Sequence, residues 1–106
     1  MIRPKAFYRP DEFADAVARV EPMLAPGVVR LRHSLGENWR GEPAVFFRVT
    51  LSEALASRVL RHENVGWDIS EKIRQEIEPE EEWGVYPYFS YRSESEQAVI
   101  QDKAWA

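Results

Sequence analysis

The chain of 106 residues contains no cysteine and only two histidines, His33 and His62. Without thiols it can form neither disulfides nor thiolate metal sites, and the two histidines lack the close spacing of metal-binding pairs. No window approaches the roughly 18 consecutive apolar residues of a membrane-spanning helix, and the first ten residues lack the apolar core of a secretory signal. We therefore expect a soluble, cytoplasmic protein that has no metal, no cofactor and no membrane partner.

A phosphate-binding loop is missing as well. Gly36 and Gly41 have the spacing of the two glycines of a P-loop, but Glu42 and Pro43 stand where that motif needs lysine and serine or threonine. The residues that follow alternate like a strand, whereas a helix follows a P-loop. The pattern therefore predicts a hairpin loop between two strands.

The histidines and the acidic residues do not indicate a catalytic centre. His33 lies between Leu31 and Leu35 on the apolar side of a predicted strand, which is more typical of a hydrogen-bonded core residue than of a base or metal ligand. The glutamates around Pro79 predict a solvated acidic turn, because they lack the alternating oxygen ligands of a calcium loop. We predict no catalytic residue, and an enzyme that uses His33 with a neighbouring glutamate is the third hypothesis.

The chain does have enough apolar surface for one folded domain. Hydrophobic residues make up 44% of the sequence and aromatic residues 12%, and a domain of this length buries roughly two thirds of the surface that its unfolded chain exposes. The net charge is −4, and eleven of the fourteen basic residues are arginine. Residues 30–48 carry four arginines against two glutamates, and residues 62–82 carry eight acids against two bases. We expect solvated faces of opposite sign.

Three segments have the apolar spacing of amphipathic helices. The first covers residues 11–24, behind acidic residues in its first turn. Ser52 is the predicted N-cap of the second helix. A third helix is predicted to begin at Asp68 and to end before Pro79, with Gly66 at a positive φ in the break between the two.

Three further segments alternate apolar and polar residues with the period of half-buried strands. They are residues 29–35, 44–51 and 84–92, of which the first two are predicted to pair as a hairpin. Pro87 has no N–H group for a ladder, so the third strand is expected at an edge or with a bulge. We predict an α+β fold of order α-β-β-α-α-β, with a small three-stranded, mostly antiparallel sheet and helices packed on one face. The residues predicted to face the helices are Val29, Leu31, Val45, Phe47, Val49, Leu51, Val85 and Phe89.

The pattern divides the chain into one domain with two loose ends. Residues 1–9 contain two prolines and no usable period, which indicates a flexible N-terminal arm. Residues 10–92 are predicted to form a single α+β domain. Residues 93–106 are predicted to be a C-terminal tail, in which the capping-box pattern from Ser93 to Glu96 can begin a short helix.

The stretch "YPYFSYRS", residues 86–93, holds three tyrosines, a phenylalanine and an arginine in eight residues. Because side chains alternate across a sheet, the residues between the predicted core positions must share its other face. That face would combine arginine with aromatic rings, and the loop residues Trp39 and Arg40 are candidates for additional contacts. The predicted contact residues of the face are Arg30, Arg32, Phe46, Arg48, Tyr86, Tyr88 and Arg92.

Three interpretations of this face remain open. Tyr, Phe and Arg are enriched at protein contacts, so we expect a non-catalytic protein–protein interaction module or accessory subunit that self-associates or binds a protein partner. Binding of a nucleotide or of single-stranded nucleic acid is the alternative, because stacking rings with arginine on a sheet is one way in which strands are bound. The acidic net charge favours this alternative less. In the third interpretation the face is solvated and arginine stems cover the rings.

Overall fold

A computed structural model describes residues 3–61 and 64–106. The described residues form five α-helices, two short 3-10 helices and one sheet. The 3-10 helices are Glu21–Leu24 and Lys103–Trp105. The α-helices are α1 (Lys5–Tyr8), α2 (Pro10–Val20), α3 (Glu53–Leu60), α4 (Val65–Ile77) and α5 (Glu94–Ile100), and the strands are β1 (Val28–Glu37), β2 (Pro43–Leu51) and β3 (Tyr86–Ser93).

The sheet is mixed, with the strand order β1-β2-β3. β1 and β2 form the predicted antiparallel hairpin, but β3 runs parallel to β2, so the prediction of a mostly antiparallel sheet is wrong. The connection explains the difference, because α3 and α4 lie between Leu51 and Tyr86. They return the chain to the end of the sheet at which β2 began, as a parallel neighbour requires. β3 lies at an edge of the sheet, which is where a strand tolerates proline, because the missing N–H of Pro87 does not interrupt the hydrogen bonds between two central strands.

The core lies between one face of the sheet and the helices, as the predicted α+β layer arrangement requires. Phe47 is 1% exposed and stacks on Phe89 with ring centroids 5.3 Å apart. The helices bring their apolar stripes onto this face because their buried positions recur at helical spacing. The helical residues of the core cluster are Ala6, Phe13, Ala16, Val17, Val20, Val65, Ile69, Ile73 and Ile77.

The start of β1 differs from the predicted alternation. The period predicts that Val29 faces the core, but this side chain is exposed and Val28 is buried instead. The register shifts between Val28 and Arg30, which marks a β-bulge. A bulge inserts one extra residue into a strand, so the inward position moves to Val28 while Leu31 keeps its predicted place.

The boundary between α3 and α4 also differs from the prediction. α4 begins at Val65 and includes both Gly66 and Asp68, so neither the break at Gly66 nor the helix start at Asp68 is correct. The backbone of Gly66 is helical. Val65 is buried and adds one turn to the apolar stripe that continues with Ile69, which explains the earlier start. His62 lies outside the described residues.

Both ends of the chain contain helical segments. In the segment interpreted as an arm, α1 places Ala6 in the core, and the N–H of Ala6 donates to the carbonyl of Trp83 at 3.2 Å. In the segment interpreted as a tail, α5 begins with the capping box between Ser93 and Glu96 that its sequence predicts. Trp105, further along the same segment, is buried.

Candidate interaction surface on the open sheet face

The face of the sheet that points away from the helical core holds all seven contact residues predicted for it. The register places its side chains in four rows that run across the three strands. Rings lie at one end of the face and arginines at the other. The rows are Gly36, Ala44 and Tyr86; Ser34, Phe46 and Tyr88; Arg32, Arg48 and Ser90; and Arg30, Thr50 and Arg92.

The arginine end of this face is covered by residues 102–106, which we call the clasp. Trp105 is the anchor of the clasp and is only 5% exposed. The guanidinium of Arg92 lies 4.4 Å from the centroid of the Trp105 ring, in cation–π contact, and 3.6 Å from the carboxylate of Asp102. Thr50, in the same row as Arg92, is buried in the sheet.

Two further arginines hold the backbone of the clasp. Arg30 Nη1 donates to the carbonyl oxygen of Trp105 at 3.4 Å, and Arg32 Nε donates to the Ala106 oxygen at 2.7 Å. Arg32 also forms an ion pair with Glu21 at 3.1 Å. Of the predicted contact arginines on the strands, three are therefore already engaged by groups of the same chain.

The opposite end of the face carries a group of exposed and partly exposed rings, which we call the aromatic patch: Trp39, Phe46, Tyr86 and Tyr88. Phe46 stacks on Tyr88 with centroids 5.5 Å apart, and Tyr86 lies 5.2 Å from Tyr88 at a tilt. Trp39 meets Tyr88 edge to face at 6.2 Å. Trp39 is 79% exposed and Tyr86 47%. With residues of the neighbouring loop, three of these rings line an open cavity of ≈ 370 Å³.

The hairpin loop between β1 and β2 is held in place by the side chain of Asn38. Its Oδ1 accepts from the backbone N–H groups of Arg40 and Glu42 at 2.9 and 3.0 Å. Its Nδ2 donates to Glu42 Oε1 and to the Tyr88 hydroxyl, both at 3.1 Å. One side chain thus ties the loop that carries Trp39 to the ring beneath it. The guanidinium of Arg40 lies 5.6 Å from the Trp39 ring centroid.

Arg48 lies between the aromatic patch and the clasp. Its Nη2 donates to the hydroxyl of Ser34 at 2.9 Å. Among residues 3–61 and 64–106, no carboxylate is within ion-pair distance of Arg48. Ser90, its neighbour on β3, is exposed. Arg48 is therefore a strand arginine of this face whose charge no described carboxylate neutralises.

His33 lies on the core side of β1, where it packs against α2. Its ring meets Phe13 edge to face at 5.3 Å, and burial, together with the charge of Arg48, lowers its pKa below the usual 6.5. Glu21 lines the same surface cavity, but its carboxylate already accepts from the N–H of Leu31 at 2.8 Å. The Glu21 carboxylate thus binds the backbone of β1 at the edge of the sheet.

Metal sites and membrane-spanning helices are both absent from the part of the chain that the structure describes. No group of three His, Cys, Asp or Glu side chains there could hold a metal ion. No helix among the described residues has both the length and the apolar character to cross a bilayer. The open face is therefore the feature that the functional interpretation rests on.

The clasp is the part of this site that the sequence did not predict. Trp105 follows α5 by a few residues and belongs to no apolar period, so nothing in the pattern assigns it to either face of the sheet. The only local signal is Asp102, whose Oδ1 accepts from the N–H of Ala104 and begins the short 3-10 helix.

The comparisons with known proteins add no functional information. No protein-family model matches the chain, and no curated protein and no solved structure matches it either.

Proposed function

We propose that the protein is a non-catalytic interaction module that binds a protein surface through the aromatic patch, with a second copy of the chain as its partner. The observation that carries the proposal is the position of Trp39, which is 79% exposed beside Tyr86 and Tyr88, at the end of the open face that the clasp does not cover. Tryptophan, tyrosine and arginine are enriched among the few residues that supply most of the binding energy at protein interfaces. A contiguous exposed aromatic surface also marks a contact site more often than a random surface does.

The proposal is supported by the contacts that already hold the rings of the patch in one arrangement. Asn38 fixes both the loop of Trp39 and the hydroxyl of Tyr88, and Phe46 supports the Tyr88 ring from the next strand. Rings that are already held in one arrangement lose little side-chain entropy when a partner covers them. A contact made here thus keeps more of the free energy that burial of the rings provides.

The charges around the patch favour a second copy over a strongly acidic or basic partner. Glu37 and Glu42 lie at the same hairpin end as Arg40, and Arg48 follows behind the rings. A two-fold symmetric contact brings the same surface of both copies together, so each patch must be complementary to itself. A surface that contains both signs meets this condition, because arginines of one copy can approach glutamates of the other.

Binding of a nucleotide or of single-stranded nucleic acid is the second hypothesis. It is supported by stacked rings next to Arg48, a cation without a described counter-ion. The clasp weakens this hypothesis, since it engages Arg30, Arg32 and Arg92 and leaves few cations to neutralise phosphates. Arg40 is the other arginine beside the rings, and Glu42 stands next to it.

The test is the mass of the protein in solution as a function of concentration, measured by light scattering. We expect the unmodified chain to form a dimer, Trp39→Ala to weaken it, and Tyr88→Glu to abolish it by placing a carboxylate in a desolvated contact. Trp67→Ala is the matched control, because Trp67 is also highly exposed, at 67%, but lies on α4. All three variants should stay folded, since none of these side chains belongs to the core cluster.

The outcome also separates the two hypotheses. A chain that stays monomeric at high concentration excludes the second copy as the partner. If that chain instead binds labelled single strands at low salt, and loses this binding in Arg40→Glu with Arg48→Glu but not in Trp67→Ala, the nucleic-acid hypothesis replaces ours.

A further inference from the structure

The clasp is attached to the rest of the molecule as a separate unit. Trp105 is buried, but it does not belong to the core cluster, because it packs on the opposite face of the sheet. Arg30 and Arg92, which stand on β1 and β3, contact its carbonyl oxygen and its ring respectively. Removal of the clasp would therefore expose the arginine end of the face without opening the core.

The connection between α5 and the clasp is a short hinge. Gln101 has φ 54°, in the left-handed region, and its N–H closes the helix by donating to the carbonyl of Gln97 at 2.7 Å. Residues other than glycine rarely adopt this conformation, because it brings the Cβ atom too close to the following carbonyl oxygen. The direction in which the clasp leaves α5 is set by Gln101 together with Gln97, whose Nε2 donates to the carbonyl oxygen of Asp102 at 2.7 Å.

Every copy of the chain presents the same seat for the clasp. The seat consists of Arg30, Arg32 and Arg92, and the contacts that it makes with the clasp are a ring, two backbone oxygens and one carboxylate. These contacts would be identical if the clasp came from another copy. Exchange of an identical element between two copies gives a closed, two-fold symmetric dimer and requires no new surface.

We propose that the arginine end of the sheet face is a second interaction surface, whose partner is the clasp of another copy of the chain. In the monomer the clasp closes on its own sheet, because an intramolecular contact has the higher effective concentration. When the hinge at Gln101 opens, the clasp closes on the seat of a neighbour. This proposal uses different residues from the aromatic patch and does not depend on it.

The test is a matched pair of hinge variants, both made in chains that also carry Tyr88→Glu, so that contacts through the aromatic patch do not contribute. Proline fixes φ near −65°, so Gln101→Pro prevents the left-handed turn and should prevent closure on the same sheet. We expect this variant to have twice the mass of the 12.4 kDa chain. Glycine enters the left-handed region easily, so Gln101→Gly should remain a monomer at the same concentration.

Two readouts decide the result. The dimer of Gln101→Pro must disappear when Trp105→Ala is added, since the anchor is then lost. If Gln101→Pro is instead monomeric, with a Trp105 ring that has become accessible to a fluorescence quencher, the seat does not accept a clasp in trans and the proposal is wrong.

A mixing experiment keeps the proposal testable if proline at position 101 unfolds the chain. Trp105→Ala removes the anchor of one chain, and Arg92→Glu removes the seat of the other, again with Tyr88→Glu in both. Each chain alone should be monomeric, whereas the mixture should contain a heterodimer in which the intact clasp occupies the intact seat. A mixture that contains only monomers would overturn the proposal and would leave the function of the aromatic patch unaffected.

Discussion

Arg32 and Arg48 face each other directly across the β1–β2 ladder, on the open side of the sheet. Like charges in directly opposite positions destabilise an antiparallel pair. Arg32 has a counter-ion, the carboxylate of Glu21 at 3.1 Å, whereas Arg48 has a hydrogen bond to the hydroxyl of Ser34 and no counter-ion among the residues that the structure describes. Arg48 is thus poorly compensated within the chain, which agrees with a role towards a partner.

Replacement of Arg48 by threonine should stabilise the isolated chain slightly. The change removes one of the two opposed charges and introduces a residue that suits a strand, so the free energy of unfolding should rise by about 0.2–1 kcal/mol at low salt. High salt screens the repulsion in the unmodified chain, so the difference should shrink there. Urea denaturation at two salt concentrations measures both effects. A clear loss of stability would mean that the Arg48–Ser34 hydrogen bond outweighs the repulsion.

The adjacent residues Phe46 and Phe47 test the assignment of the two faces. Phe47 belongs to the core and stacks on Phe89, so Phe47→Ala should lower the free energy of unfolding by roughly 3–5 kcal/mol. Phe46 is partly exposed on the other face, and Phe46→Ala should have a smaller effect. Thermal denaturation of the two variants gives the comparison. Equal losses of stability would show that the open face is as deeply buried as the core.

The faces of the strands could be predicted because side chains alternate between the two faces of a strand, and the core positions of β2 are apolar in the sequence. Val45, Phe47 and Val49 are all apolar and all face the helices, so their neighbours on β2 must point the other way. The outward orientation of Val29 could not be predicted from this period. A bulge shifts the alternation of a strand by one residue, and no residue type in the sequence marks its position.

The clasp and the parallel strand could not be predicted, because both depend on contacts between distant segments. Trp105 meets Arg30 across 75 positions of the chain, and no local pattern encodes that distance. The direction of β3 is set by how α3 and α4 cross the sheet, which amphipathic spacing alone leaves open. The composition of the open face could therefore be predicted, but its division into a covered and an exposed half could not.

Gly66→Ala should be neutral or stabilising by up to about 1 kcal/mol, since glycine is unfavourable within a helix. Gly66 lies in α4, and an added Cβ would be 3.9 Å from the Tyr91 ring, an ordinary contact. Gly84→Ala is the opposite case, because Gly84 has φ +70° and its Cβ would be 3.1 Å from that of Pro4. The melting temperature should stay the same or rise in Gly66→Ala and should fall in Gly84→Ala. A loss of stability in Gly66→Ala would restore the predicted break between the helices.

His33 should make the stability of the fold depend on pH. Burial and the charge of Arg48 lower the pKa of His33 in the folded chain, whereas in the unfolded chain it is near 6.5. Between these two pKa values the unfolded state binds more protons, so the free energy of unfolding increases with pH. The contribution of His33 is therefore complete above about pH 6.5 and is lost as the pH falls through the folded pKa. We expect a lower urea midpoint at about pH 5.5 than at about pH 7.5.

Three variants identify His33 and its neighbour as the source of this dependence. His33→Gln cannot titrate, so its urea midpoint should change less between the two pH values, while carboxylates contribute equally to both chains. Arg48→Thr removes the smaller of the two causes, so it should reduce the dependence only in part, because burial remains. Arg40→Thr removes one positive charge elsewhere on the hairpin and should leave the pH dependence of the urea midpoint unaltered. An unchanged dependence in His33→Gln would assign the effect to other groups.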